Sequence, residues 1–392
     1  MLTTRRPLIV VSGAIANKPR NGGAAWTRLS WVLGLKRLGC DVYFVEQIAS
    51  TDCADESGAR CDVAGSMNRA YFVDTVERFG LADRSALVEV NGRATAGLAW
   101  QDLERIAEAA DLLVNISGHL TIGALKDRFR TRVFLDQDPG YTQFWHASGL
   151  AADRLRGHDF YFTVGENIGS DGCEIPTCGI KWHPIRQPVL LDEWPMVFQE
   201  SDLCFTTVAS WRGPYGRIVH NGVQYGLKAH EFRKFAAVPH AIDRQCEVAL
   251  TIDHADRRDL EALETGGWRV VNPASVAGDP FLFRQYVQAS GAEFSVAQGI
   301  YVETHSGWFS DRTARYLASG KPALVQDTGL ARNYPVGCGI VPFRTFDEAV
   351  RGARHIARDY EAHAHGARAI AEEFFDSDKV ISGLLQTVGV TS

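Results

Sequence analysis

The chain has 392 residues, enough for two domains of ordinary size. Its 45% hydrophobic and 22% charged content fit a globular protein in water, and a net charge of -6 gives no basic footprint for nucleic acid. Eight scattered cysteines form no C-x-x-C pair, which argues against a zinc ribbon or redox motif and for reduced thiols in a cytoplasm.

No apolar run approaches the roughly 20 residues that span a bilayer, so no integral membrane segment is expected. Two arginines precede the first apolar run, as in a signal peptide, but that run is short and leads into Asn17-Lys18-Pro19-Arg20. Leu8 to Val11 therefore reads as a first buried strand. A long loop from Ser12 ends in Asn21-Gly22-Gly23. Ala24 to Leu38 reads as a helix closed by Gly39, and Asp41 to Glu46 as a second strand. This is a βαβ beginning, and its loop lacks G-x-G-x-x-G, so dinucleotide binding has little support.

Arg69 to Phe79 and Leu103 to Ala110 read as helices in a stretch of weak pattern. Asp111 to Ile116 is a strand ending in Ser117-Gly118-His119. Arg132 to Leu135 is another, ending in Asp136-Gln137-Asp138. Open parallel sheets carry ligands at such strand ends, which makes His119, Asp136 and Asp138 the polar candidates of the first half. Phe160 to Gly165 is a further strand. Prolines recur from Pro176 to Pro195, the expected linker. The expected division is 1–190, 200–372 and a terminal helix in 373–392.

Beyond the linker, strands are expected at Leu203 to Val208, Cys246 to Ile252, Trp268 to Val271, Phe294 to Val296 and Ile300 to Val302. Helices are expected at Ala229 to Ala237, Arg258 to Glu264 and Phe281 to Ser290. The stretch from Tyr301 to Gly329 organises the second half. Ser306-Gly307 is a turn, and Ser310 is a good N-cap for a helix from Asp311 to Ser319. Gly320 and Pro322 end that helix, and Ala323 to Gln326 is a strand. The helix start has orphan amides and a positive dipole end suited to an anion, though an ordinary capped helix would show the same residues. Phe346 to Ala364, Gly366 to Phe375 and Lys379 to Val388 read as closing helices.

His305-Ser306-Gly307-Trp308-Phe309-Ser310 resembles the H-x-G-W-x-S core of the nucleotide-sugar signature in GT-B glycosyltransferases, and Ser319-Gly320-Lys321-Pro322 resembles the element after its helix. The acidic residue that usually holds the donor ribose is missing, with Thr313 or Arg315 near its place. The resemblance implies an α/β fold of two Rossmann-like domains facing a cleft, with a C-terminal helix crossing back to the first. It implies transfer of a sugar, hexosyltransferase-like, from a UDP or dTDP donor as co-substrate to a small-molecule or glycan acceptor, with no other cofactor. Donor contacts would come from His305 through Arg312, including Asp311, from the Gly22-Gly23 loop, and from two cations, Arg212 and Lys228. Asp138, then His119, is the expected base. Asp136-Gln137-Asp138 also spells the D-x-D metal motif of the other large glycosyltransferase fold, but Asp376-Ser377-Asp378 repeats it, and no metal site is expected. Two other readings stay open, a nucleotide-sugar epimerase on the same scaffold and an inactive sugar-nucleotide-binding partner.

Overall fold

The computed structural model describes residues 5–150, 152–198, 203–213 and 215–390. Two sheets form its frame. The first takes β1 (Leu8–Ser12), β2 (Asp41–Ile48), β3 (Ser85–Glu89), β4 (Ala94–Gly97), β5 (Leu112–Ile116), β6 (Arg132–Asp136), β7 (Phe160–Thr163) and β8 (Trp182–Pro184) in the order β4-β3-β2-β1-β5-β6-β7-β8. All its pairs are parallel except β3 with β4. The second takes β9 (Phe205–Ser210), then, after a β10 (Ile218–His220) and β11 (Val223–Tyr225) hairpin, β12 (Cys246–Thr251), β13 (Trp268–Val271), β14 (Ala292–Ser295), β15 (Ala323–Gln326) and β16 (Ile340–Phe343). Its order is β13-β12-β9-β14-β15-β16, parallel throughout.

Parallel sheets need cover on both faces, which is why their strands are continuous apolar runs such as Leu8-Ile9-Val10-Val11. Each sheet reverses direction beside its first strand, between β1 and β5 and between β9 and β14. Such switch points open a crevice at the carboxyl ends of the strands.

The two halves meet closely. Helix Gly22–Arg37 lies in the joint. Its Trp26 indole donates to the Pro280 carbonyl at 2.7 Å, Thr27 donates to Asp311 at 2.7 Å, and Arg315 donates to Ser30 at 3.2 Å. A Cβ at Gly22 would stand 2.0 Å from the Asp279 carbonyl oxygen, so only glycine permits this approach. The terminal helix, Ser377–Val388, returns to the first half as expected. It sets Ile381 against Gly34, and Arg37 holds Asp378 at 3.1 Å.

Several local expectations fail for identifiable reasons. Ile300 to Val302 is helical, inside Gly299–Glu303, because three apolar residues cannot distinguish strand from helix by period. The long closing helix breaks at Asp359, not near Gly366. Gly366 is instead a packing residue, since its Cβ would meet the Cys338 sulfur at 2.7 Å. The helix expected over Ala229 to Ala237 runs only as Lys228–Arg233, and a separate short helix, Val238–Ile242, follows with Pro239 in its first turn. The proline-rich stretch contributes β8 to the first sheet, and β3, β4 and β16 were not anticipated.

Candidate functional site

A hollow of about 310 Å³ opens between the sheets. From the first half it takes Lys18 on the loop after β1, Gly23, Thr27 and Arg28 at the start of helix Gly22–Arg37, and Asp138 after β6. From the second it takes the end of β9, Tyr301, Trp308, and Asp311 and Arg312 at the start of helix Asp311–Ala318. Two helices, one from each half, thus direct their positive ends into one space. Asn21 already takes the Ala24 amide at 2.9 Å and Ser310 the Arg312 amide at 3.3 Å, and the dipoles with the remaining first-turn amides favour an anion there.

The loop carrying Lys18 is held from below. Glu46 on β2 is fully buried and accepts from the amides of Ile15, Ala16 and Asn17 at 2.7, 2.8 and 2.8 Å. Burial pushes the Glu46 carboxyl pKa up, and these bonds oppose the shift. Asp136 does similar work at β6. It accepts from Thr142, Gln143 and Thr163 at 2.6, 2.9 and 2.8 Å, and from the Asp138 amide at 3.1 Å. Burial raises its pKa. The Asp136 carboxylate is thereby spent on structure. Among the described residues no group of three or more His, Cys, Asp or Glu is placed to hold a metal ion.

Arg28 and Lys18 dominate the electrostatics. Arg28 is 7% exposed, its Nη1 donates to the Ala24 carbonyl at 3.1 Å, and its Nε has no partner. Neither residue pairs with a carboxylate within salt-bridge distance among the described residues. Burial lowers the pKa of both, and each of the two cations is further penalised or relieved by its charged neighbours, Arg28 lowering Lys18 while Asp138 and Asp311 raise both. A buried arginine and a half-buried lysine, neither ion-paired with a carboxylate among the described residues, are a costly arrangement that an entering anion would relieve.

The expected site residues separate into two sets. Gly23, Trp308, Asp311, Arg312 and Asp138 line the hollow. The Trp308 ring lies 4.6 Å from that of Tyr301, and the Tyr215 hydroxyl donates to Asp138 at 3.2 Å. Arg312 is held by Glu293, by the Val208 carbonyl at 2.7 Å and by Ser295 at 2.9 Å. Its charge is therefore already met.

The other expected residues do not line the hollow. Gly22 faces Asp279. His305 is exposed, with φ of 50°, and its carbonyl accepts from Asn167 at 2.9 Å. Ser306 is fully buried, accepting from the Trp308 amide at 3.1 Å. A Cβ at Gly307 would meet Asn167 at 2.7 Å, so that glycine serves the joint. Phe309 stacks on Phe375 at 5.0 Å, and Ser310 caps its helix through the Arg312 amide at 3.3 Å. Arg212 is chelated by Asp256, Nε to Oδ2 at 2.7 Å, and its side chain is otherwise exposed. His119 lines a separate hollow, where Asn17 lies 3.1 Å from its Nε2. Burial, then Arg28, Arg154 and Lys18, hold its pKa down to about 3, so its ring is neutral and weakly basic.

Lys228 is buried and spends its ammonium on the Val296 carbonyl at 2.8 Å. Burial first, then Arg312, pulls its pKa to about 7. The unfolded chain therefore binds the extra proton more tightly, and the lysine destabilises the fold fully below about pH 7. That penalty fades as pH rises from 7 toward the ordinary value of 10.5. Lys228→Met removes the penalty. The melting temperature of the wild type minus that of the variant is expected to rise between pH 6.5 and 9.5 in differential scanning calorimetry. A flat difference would show that Lys228 is not the buried ammonium described.

Sequence reasoning passed over Lys18 and Arg28. In the sequence Lys18 stands only as part of the polar flank of an apolar run. Arg28 did leave a signal, since Trp26, Leu29 and Val32 surround it on a helix buried on nearly every side. A charge in such a helix needs a reason.

No known family profile matches the chain. A 123-residue stretch is 27% identical to phosphoribosylamine–glycine ligases from two strains of Streptococcus pyogenes serotype M3, covering 31% of this chain. The chain spans only 27% of the length of those curated relatives. Whole-length similarity appears among solved structures. Anabaena HepE in complex with UDP and glucose is 12% identical, with 97% of this chain and 99% of that chain covered and a TM-score of 0.58. An alpha-glucosyltransferase in complex with UDP is 10% identical over 97% and 99%, with a TM-score of 0.60. A glycosyltransferase from Rickettsia africae is 10% identical over 98% of each chain, with a TM-score of 0.54. The chain has the GT-B fold, two Rossmann-like domains facing a cleft.

Proposed function

We propose that the protein is a glycosyltransferase that moves a sugar from a nucleoside diphosphate donor to an acceptor hydroxyl. The observation that carries this reading is the anion-ready hollow between the two sheets, where helix starts Gly22–Arg37 and Asp311–Ala318 meet beside Lys18 and Arg28. The solved structures of the same fold include complexes with UDP and with UDP-glucose. UDP is the first donor nucleotide to try, and dTDP the second.

In this reading the diphosphate lies between the helix starts, and the base reaches toward Pro273, Ala277 and Phe283. The acceptor oxygen attacks the anomeric carbon, its proton passes to Asp138, and the bond from that carbon to the diphosphate oxygen breaks with its electron pair leaving on the diphosphate. Negative charge grows on the leaving group at that moment. Lys18, Arg28 and the helix amides stabilise it where it develops. Tyr215 orients Asp138 by donating to one oxygen, which leaves the other for the proton.

Among the described residues no helix is long and apolar enough to cross a membrane. The eight cysteines are all free, and a cytoplasmic location is the proposed one.

Incubation with UDP-glucose, dTDP-glucose and GDP-mannose, without and with a panel of hydroxyl acceptors, tests the reading. Slow nucleotide release without acceptor and faster release with one is the expected result. Epimerised donor with no nucleotide release would replace transfer by isomerisation. Tight binding without turnover across the panel would mark an inactive partner.

A further inference from the structure

The wall formed by Tyr215 and Asp138 separates the cleft from a second, larger hollow of about 900 Å³. This one lies on the first half, beyond the carboxyl ends of β2 and β5, and His119 faces it. Its charge is lopsided. Lys126, Arg154 and Arg156 line it, against a single carboxylate among the described residues, Asp52. Lys126 is 8% exposed, and among the described residues its ammonium finds only the Arg156 carbonyl, at 3.2 Å. Arg154 and Arg156 are exposed and meet no carboxylate within salt-bridge distance among the described residues. Isolated surface arginines would be unremarkable. Here two of them converge on one concavity with a buried lysine, and the field of Arg154 contributes to keeping His119 neutral.

The remaining wall is aromatic. Trp145 and Tyr215 meet edge to face, with centroids 4.8 Å apart and planes at 86°. Flat apolar rings beside hydrogen-bonding groups suit the faces and hydroxyls of a sugar ring or polyol. Tyr215 spans both hollows, since its ring faces this one while its hydroxyl reaches the carboxylate lining the other.

We infer that this hollow is the acceptor site and that the acceptor is anionic, a sugar or polyol carrying a phosphate or carboxylate that Arg154 and Arg156 hold. This rests on the transferase reading above. The anion would anchor one end of the acceptor, and Trp145 and Tyr215 would carry its ring, leaving a hydroxyl directed at Asp138. Guanidinium groups match both oxyanions bidentately.

Isothermal titration of the full chain with glucose 6-phosphate, glucuronate and glucose, each with and without saturating UDP, tests this. At least one anionic probe is expected to bind about tenfold or more tighter than glucose. The double variant R154A/R156A is expected to erase that preference while its UDP affinity and melting temperature stay unchanged. Preference for the phosphate over the uronate, or the reverse, tells the two oxyanion sources apart. Equal binding of neutral and anionic probes, binding of neither anionic probe, or a preference that survives in R154A/R156A would overturn the inference. Failure of UDP to bind the unaltered chain would overturn the transferase reading instead, and it is read in a separate titration.

Discussion

Arg28→Met is expected to weaken UDP binding by about 10- to 100-fold, whereas Arg212→Ala leaves it within about twofold. A charge-assisted hydrogen bond is worth roughly 1.5–3 kcal/mol, which sets the first figure. Among the described residues Arg28 has an unpartnered Nε and no carboxylate within salt-bridge distance, and it has a place in the cleft wall. Methionine keeps the buried stem packed and removes only the charge and donors. Arg212 stands where a diphosphate-binding cation of this fold was expected, yet both arms of its guanidinium rest on Asp256. Isothermal titration of both variants decides between them. Loss in Arg212→Ala with none in Arg28→Met would return the diphosphate to the β9 loop.

Asp138→Asn is expected to lower kcat by about 10²- to 10⁴-fold, the span ordinarily lost with a general base. Donor affinity should hold or rise, because a negative charge leaves the neighbourhood of the diphosphate. The carboxylate lines the cleft between the sheets and accepts from Tyr215, which lines the second hollow, so it stands between the two. His119 cannot easily substitute, with its pKa near 3 and its Nε2 facing Asn17. Steady-state kinetics with varied donor separates kcat from KM. Activity within about threefold of the wild type would exclude Asp138 as the base and favour a retaining reaction.

Much of the frame was legible because it depends on local patterns. Leu8 to Val11 is a doubly buried strand, and Ser310, Asp311 and Gly320 mark the ends of their helix in the sequence alone. What escaped depends on tertiary surroundings. The Ser306-Gly307 turn looks like a phosphate loop, yet its tight approach is to Asn167, and Asn167 Nδ2 also reaches the Gly329 carbonyl at 3.2 Å. The motif here closes the joint between the halves, and only its downstream end, Trp308, Asp311 and Arg312, faces the cleft. Arg212 was placed correctly at the end of its strand, but a strand end does not reveal that Asp256 waits beside it. Conversely, nothing around Lys18 or Arg28 in the chain announces that, among the described residues, Asp138 and Asp311 will act on them only from beyond salt-bridge distance. The lack of a direct ion pair is a property of the assembled fold.

The most direct test is a crystal structure with UDP. The diphosphate is expected between Gly23–Ala24 and Asp311–Arg312, within hydrogen-bonding distance of Lys18 and Arg28. A nucleotide seated on any other surface, or a cleft still vacant at saturating UDP, would contradict it.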